Sequence, residues 1–285
     1  MSVLYTPVGR HRNDPGEVGV VLTDESQQWI RERLRPMQRR MSGTLPEKID
    51  PGPWMTVEDQ GNVSSCRGHS GSSVYEMAFY WATGHHVQFS RQHMYVSAQR
   101  ESGIRGDQGA TIAGGFKVML ETRGMLPESY WPYTGSYVST PPMGWEKADQ
   151  ISANYHADQL VEIPDFNAAI EFLGRRMGAI DVGFMWSGLM DEQAANTGVI
   201  ERWAPGSGGH AIFFPGYELI QFRGREVRAI KMFNSWSRRW GKNGTVLWLE
   251  EAFNAMLNHR WTEVGGVSGV RLGPQAELPA WKPQW

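Results

Sequence analysis

The sequence predicts an α+β protein with helices in the first half of the chain and strands in the second. Four apolar residues after Cys66 recur at i, i+3, i+4 and i+7 and form one helix face: Val74, Met77, Ala78 and Trp81. Beyond about residue 155 the chain changes to short runs with β-propensity, "AIFFPGYEL", "VRAIKMFNSW" and "TVLWLEE". These runs predict an antiparallel sheet or barrel.

Breaker residues delimit the predicted helices. A helix from Asp24 to Leu34 is expected to end before Pro36, and the helix after Cys66 is expected to end at Gly84. A further pattern over 111–123 places Ile112, Phe116, Met119 and Leu120 on one stripe before Gly124.

Composition and charge exclude several function classes. Hydrophobic residues at 40% and a formal net charge of -2 are ordinary for a soluble globular protein and give no electrostatic footprint for nucleic acid. No apolar run has the length of a membrane span, and the N-terminus lacks a secretory signal. We therefore expect no membrane partner and a location in a microbial cytoplasm or in a virion.

Cys66 is the single cysteine of the chain. A lone cysteine is more often a small buried hydrophobe than a nucleophile. Cys66, however, falls at the first turn of a predicted helix, where unpaired backbone N–H groups favour a thiolate and should lower the thiol pKa. Attack on a carbonyl also needs oxyanion donors, which Gln60 and the Cys66 backbone N–H can supply.

His210 is the candidate general base. It follows the glycine-rich stretch 206–209 at the start of an apolar run, so its imidazole edge is left uncovered. Asn234 ends a later predicted strand and is followed by Trp236. An asparagine carbonyl can fix the tautomer of a histidine, and an indole over that hydrogen bond keeps water away.

These motifs, in this order, resemble those of papain-family cysteine peptidases: Gln60-Gly61, Ser65-Cys66, Gly209-His210-Ala211 and Asn234-Ser235-Trp236, with Trp240-Gly241 and Gly244. The Cys66 to His210 separation (210 − 66 = 144) lies within the window of roughly 130 to 150 positions. Asn234 (234 − 66 = 168) lies a little beyond it. The resemblance covers about 45–251 and is closest to bacterial and viral members with short N-terminal extensions.

The resemblance implies a papain-like fold whose cleft separates a helical lobe, 45–155, from a β-barrel-like lobe, 156–273. It implies hydrolysis of polypeptides through a thioester acyl-enzyme, with no metal or cofactor. Gly109 would offer backbone hydrogen bonds to the substrate, and Ala211 would line the pocket for the second residue before the scissile bond. Trp236 and Trp240 would wall the leaving side.

Two terminal segments flank the lobes. Residues 1–44 form an N-terminal extension, a candidate propeptide. We expect its segment from Trp29 to Leu34 to pack on the body and partly cover Cys66. The Pro- and Trp-rich residues 274–285 are the candidate contact for an assembly partner.

The chain departs from the family pattern at two places. Arg67 replaces the aromatic residue that follows the nucleophile, where it would either stabilise the thiolate or obstruct the primed side of the cleft. Ser237-Arg238-Arg239 makes the wall between the two tryptophans basic, which predicts a preference for acidic residues on the leaving side.

Other interpretations have less support. "GHSGS" at 68–72 lacks the final glycine of a serine hydrolase elbow. The glycine-rich 206–209 lacks the residues of a phosphate loop, and His85, His86 and His93 are expected to be helix-end surface histidines rather than metal ligands. The main alternative is a papain-fold binding or assembly protein, such as a virion component.

Overall fold

The computed structural model describes residues 19–37 and 43–278. Within these ranges the helices are α1 (Asp24–Arg33), α2 (Cys66–Thr83), α3 (Arg91–Glu101), α4 (Ile112–Leu120), α5 (Trp145–Ser152), α6 (Phe166–Gly174), α7 (Gly188–Asn196) and α8 (Glu250–Leu257). The strands are β1 (Leu34–Arg35), β2 (Tyr155–Val161), β3 (Gly178–Trp186), β4 (Val199–Ile200), β5 (Gly208–Phe222), β6 (Arg225–Phe233), β7 (Thr245–Trp248) and β8 (Glu263–Leu272). The α+β prediction is confirmed.

The strands form one sheet in the order β1-β2-β8-β3-β5-β6-β7-β4. The pairings from β2 through β7 are antiparallel, whereas β1 pairs with β2 and β4 pairs with β7 in parallel. The expected barrel is therefore corrected to an open, mixed sheet, because its two short edge strands do not pair with each other. The long strand β5 carries His210 near its start.

The helix α2 is central to the fold. Its first fourteen residues, from Cys66 to Phe79, are all buried. It packs against α3 and α4 on one side and against β3, β5 and β8 on the other, so its N-terminus lies where the helices meet the sheet. Gly84 ends it in the left-handed conformation with φ 74°, as the sequence predicts.

The predicted N-terminal helix is α1, which lies against α4 and β8. Thr23 caps it by accepting a hydrogen bond from the Ser26 backbone N–H. After α1 the chain enters β1 and adds a parallel edge strand to the sheet, with Leu34 opposite Leu160. Part of the N-terminal extension is thus built into the main fold.

Two expectations concern the chain ends and the membrane. The tryptophans of the C-terminal tail, Trp281 and Trp285, lie outside the described residues. Among the helices that the structure describes, none combines the length and apolar character needed to cross a bilayer.

Candidate active site

Cys66 lies at the N-terminus of α2, directly after the capping position of Ser65. The backbone N–H groups of Ala211, Gly19 and Arg67 lie close enough to its thiol to favour the thiolate form. Ala211 belongs to β5, and Gly19 belongs to the N-terminal extension. The structure therefore brings three distant parts of the chain together at one sulfur atom.

The pKa of the Cys66 thiol is raised to about 11, because burial of the side chain penalises the thiolate more than the backbone hydrogen bonds and the nearby Arg67 charge stabilise it. The side chain is 0% exposed. The expectation of a lowered thiol pKa is thus wrong for the buried Cys66 of this structure. The helix N-terminus favours the thiolate, but the loss of water outweighs it.

His210 and Asn234 form the hydrogen bond that the sequence predicts. Nε2 of His210 donates to Oδ1 of Asn234 at 2.8 Å, and both side chains are buried. This bond leaves Nδ1 of His210 as the unprotonated nitrogen of a neutral ring. Burial lowers the pKa of His210 to about 4, against the opposing effect of Asn234. Nδ1 has no hydrogen-bond partner among the described residues, so the thiol and the imidazole are not yet bonded to each other.

Tryptophans enclose the imidazole. Trp236 stacks on His210 with ring centroids 4.6 Å apart, as expected for an indole that shields the hydrogen bond to Asn234. Trp186, which the sequence did not single out, meets the edge of His210 at 4.9 Å. Asp191 accepts hydrogen bonds from the indole N–H groups of Trp186 and Trp240 and so fixes this aromatic wall.

Gln60 is held by hydrogen bonds to Ser235 and Val63. Its Oε1 accepts a hydrogen bond from Ser235 Oγ at 2.6 Å, and its Nε2 donates to the Val63 carbonyl at 2.9 Å. Its backbone N–H donates to the Ser235 carbonyl. These contacts set the orientation of the amide, with Nε2 on the side of the loop that leads to Cys66.

Residues 19–22, here called the blocking strand, lie in the cleft. The Val20 N–H donates to the Gly209 carbonyl at 3.0 Å, while the Val21 N–H and the Gly19 carbonyl bond to the backbone of Ala110. The strand therefore pairs with both walls of the cleft. A Cβ at Gly19 would collide with the Ser64 backbone, two residues before Cys66. Only glycine at position 19 therefore lets the strand lie this close to the loop before Cys66.

The blocking strand lies next to two residues that the sequence predicts to contact substrate, Gly109 and Ala211. The strand pairs with the backbone of Ala110 and not with that of Gly109, the predicted substrate contact. The N–H and the carbonyl of Gly109 are bonded to Tyr95 and Gln99. Val20 is fully buried and packs near Gly183 and Gly209, where the lack of side chains leaves room for it. Ala211 is buried behind it, next to the thiol.

Comparison with known proteins identifies the family of this chain. Residues 45–259 match the model of the papain family cysteine protease. The chain belongs to the papain family. Cysteine proteinase 15A of Pisum sativum is 26% identical over 214 residues, which are 70% of this chain and 56% of that protein. This papain-family chain spans less than two thirds of the length of the curated relatives that it matches.

Solved structures show the same fold. Xylellain, a cysteine protease from Xylella fastidiosa, is 19% identical with a TM-score of 0.64, over 94% of this chain and 97% of that one. The proCathepsin B S9 of Trypanosoma congolense is 18% identical with a TM-score of 0.67, over 89% and 87% of the two chains. At these identities the likeness concerns the papain fold alone.

The papain-family pattern is broken at Arg67, and the structure corrects the expectation that this residue contacts the substrate. The side chain is 0% exposed and points into the interior, where Nη1 pairs with Asp181 Oδ2 at 2.6 Å. Its guanidinium lies 5.2 Å from the Phe116 ring. Arg67 lies behind the nucleophile because α4 carries Gly115 at the point of contact, where a Cβ would collide with the guanidinium.

Glu263 is a buried carboxyl that the sequence did not reveal. Its Oε2 accepts a hydrogen bond from Ser26 Oγ at 2.8 Å, and the backbone of Thr23 also bonds to it. Burial raises its pKa to about 8, although these bonds and the Arg67 charge act in the opposite direction. Glu263 thus fastens the start of α1 to β8.

The structure also gives the positions of the other residues that the sequence singled out. His93 is fully buried, so the expectation of a surface position is wrong for this residue; His85 and His86 are half-buried. No group of three or more metal-ligating side chains occurs in 19–37 or 43–278. The "GHSGS" stretch lies inside α2, and Arg238 and Arg239 are exposed beside Trp240.

Proposed function

We propose that the chain is a cysteine endopeptidase with Cys66 as nucleophile, His210 as general base and acid, and Asn234 as the residue that orients His210. The observation that carries the proposal is the hydrogen bond from His210 Nε2 to Asn234 Oδ1, which Trp236 shields. His210 lies on β5 directly before Ala211, whose backbone N–H is next to the Cys66 thiol. Membership of the papain family supports the assignment.

The reaction follows from these atoms. Nδ1 of His210 takes the thiol proton, and the Cys66 sulfur adds to the carbonyl carbon of the substrate. Gln60 Nε2 and the Cys66 backbone N–H donate to the oxyanion. His210 gives its proton to the leaving amine as the C–N bond breaks, which leaves a thioester. His210 then takes a proton from water, hydroxide adds to the thioester, and the acid product and the thiol are released.

We further propose that the blocking strand keeps the enzyme inactive. It occupies the backbone pairing positions of a peptide at Gly209 and Ala110 and places the Gly19 N–H on the thiol. A substrate has to exchange with these residues before Cys66 can attack. The segment from Trp29 to Leu34, which the sequence singled out, packs on the body of the protein in α1 and β1, whereas the residue of the extension next to the Cys66 thiol is Gly19.

The blocking strand and α1 differ in how they are held. The strand is held by backbone hydrogen bonds to Gly209 and Ala110, which involve no side chain, and the sequence requirement that its contacts impose is glycine at position 19. The helix α1 is anchored by side chains, since Ser26 bonds to both Glu263 and the Ala113 N–H, and Gln27 donates to the Arg260 carbonyl at 2.6 Å. Activation therefore displaces 19–22 and leaves α1 and β1 in place.

Hydrolysis of a fluorogenic peptide library by the full chain carrying Gly19→Val tests the proposed activity. The valine side chain collides with Ser64 and should expel the blocking strand. We expect turnover that is lost when Cys66→Ser or His210→Ala is added, and retained when the half-buried His85→Ala is added instead. A freed thiol without any hydrolysis would favour the binding or assembly protein.

A further inference from the structure

His69 lies one turn after Cys66 on α2 and is 2% exposed. Its Nδ1 lies 3.0 Å from the Ser65 carbonyl oxygen. Because a carbonyl oxygen only accepts, Nδ1 carries the proton and Nε2 carries the lone pair. The Tyr133 ring meets His69 edgewise at 4.6 Å and holds the imidazole in place.

Several buried polar atoms near the active site have no hydrogen-bond partner in the part of the chain that the structure describes. Besides Nδ1 of His210, they include Nε2 of His69 and Nδ2 of Asn234. The Oδ1 of Asn234 is fully used, since it accepts from His210 Nε2 and from the Ser235 backbone N–H, each at 2.8 Å. A buried N–H or ring nitrogen without a partner is unfavourable, so both atoms call for a ligand.

The two side chains line one cavity of about 10 Å³, together with Ser73, whose hydroxyl is also unpartnered. This volume holds about one water molecule. A water there can accept a hydrogen bond from Asn234 Nδ2 and donate to His69 Nε2, with Ser73 Oγ as a third partner. Three hydrogen bonds are typical of a buried structural water.

We propose that His69 is a positioning residue that, through one buried water, holds the Asn234 amide in the orientation required by His210. The inference rests on the proposed function, in which His210 Nδ1 has to accept the Cys66 proton. An amide turned by half a rotation would present its NH2 group to His210 Nε2. That would favour the tautomer with the proton on Nδ1, which can no longer serve as the base.

Nitrogen NMR of the histidine-labelled full chain tests the proposal. In the wild-type protein we expect His210 to be protonated at Nε2 and His69 at Nδ1. In His69→Phe, which keeps the ring shape but removes the acceptor, a second His210 tautomer with the proton on Nδ1 should appear. His69→Gln, whose amide oxygen can accept from the water, should restore the wild-type tautomer.

A kinetic arm uses the same variants with Gly19→Val added. We expect kcat to fall roughly 10-fold in His69→Phe with KM nearly unchanged, and to recover in His69→Gln. His93→Phe is the matched control, because His93 is equally buried but packs against Trp131 and Trp145 away from the cavity. His69→Leu replaces the phenylalanine variant if thermal melting shows that the latter is unfolded.

The outcomes are distinct. An unchanged His210 tautomer in a folded His69→Phe or His69→Leu protein would overturn the proposal, as would an equal change in His93→Phe. If the chain with Gly19→Val hydrolyses no peptide, the proposed function fails, while the NMR spectra still decide the role of His69.

Discussion

The Val20 backbone N–H donates to the carbonyl of Gly209 at 3.0 Å, one residue before His210. This bond couples the N-terminal extension to the β5 segment that carries the candidate base. Burial of the thiol and of the imidazole holds both groups in their neutral forms in this structure. Displacement of the strand would readmit water and favour the ionised pair.

Arg67→Met should destabilise the protein, although the Arg67 side chain points into the interior and does not line the cleft. It removes the guanidinium and leaves the Asp181 carboxylate buried without its partner, which costs about 3–5 kcal/mol in the free energy of unfolding. Urea denaturation measures the loss. Arg223→Met is the control, because the Arg223 side chain is exposed. Its ion pair with Glu201 should contribute less than about 1 kcal/mol to the free energy of unfolding. Equal losses in the two variants would contradict the interior role of Arg67.

Glu263→Gln should remove part of the pH dependence of stability. The folded-state pKa of Glu263, about 8, is above its ordinary value of 4.5, so its contribution is present at acidic pH and is lost as the pH rises through 8. Between pH 5 and pH 8 the free energy of unfolding should decline in the wild type by up to a few kcal/mol more than in Glu263→Gln.

The exposed Glu250→Gln is the control for that measurement. The difference between the wild-type and Glu263→Gln curves isolates Glu263 from the other buried groups. A difference that does not change between pH 5 and pH 8 would mean that Glu263 is not held neutral by burial against Ser26.

Peptides with Glu or Asp on the leaving side should be cleaved faster than neutral ones by the chain with Gly19→Val. Arg238 and Arg239 are exposed next to Trp240, so their effect is a screened surface interaction of roughly two- to fivefold in kcat/KM. The double variant Arg238→Ala, Arg239→Ala should lose the preference. Arg225→Ala with Arg228→Ala changes the charge equally on exposed residues of β6 and should keep it.

Local signals predicted much of the fold. The period of α2, the breaker at Gly84 and the β-rich runs correspond to observed elements. The helix α3 was not predicted because polar residues such as Arg91, Gln92 and Gln99 are buried among its apolar ones, so the sequence shows no separate apolar stripe. The edge strand β1 was missed because its two residues owe their conformation to pairing with β2.

For the candidate site, the sequence predicted contacts that depend on residue type. Cys66, His210 and Asn234 were named from their contexts, and the His210 to Asn234 bond and the stacked Trp236 have the expected geometry. The inward turn of Arg67 could not be predicted, because it depends on Asp181, 114 positions away in the chain. The partners of Glu263 likewise arise from tertiary packing alone.

Our central claim is that Cys66 is a reactive thiol and that the blocking strand prevents access to it. The rate at which iodoacetamide alkylates Cys66 at neutral pH tests this claim most directly. We expect slow modification of the wild-type chain and at least roughly 10-fold faster modification of Gly19→Val, since the added side chain collides with Ser64. Gly43→Val, in open space, should react at the wild-type rate. Rapid alkylation of the folded wild-type chain, or equal rates in all three proteins, would contradict the account.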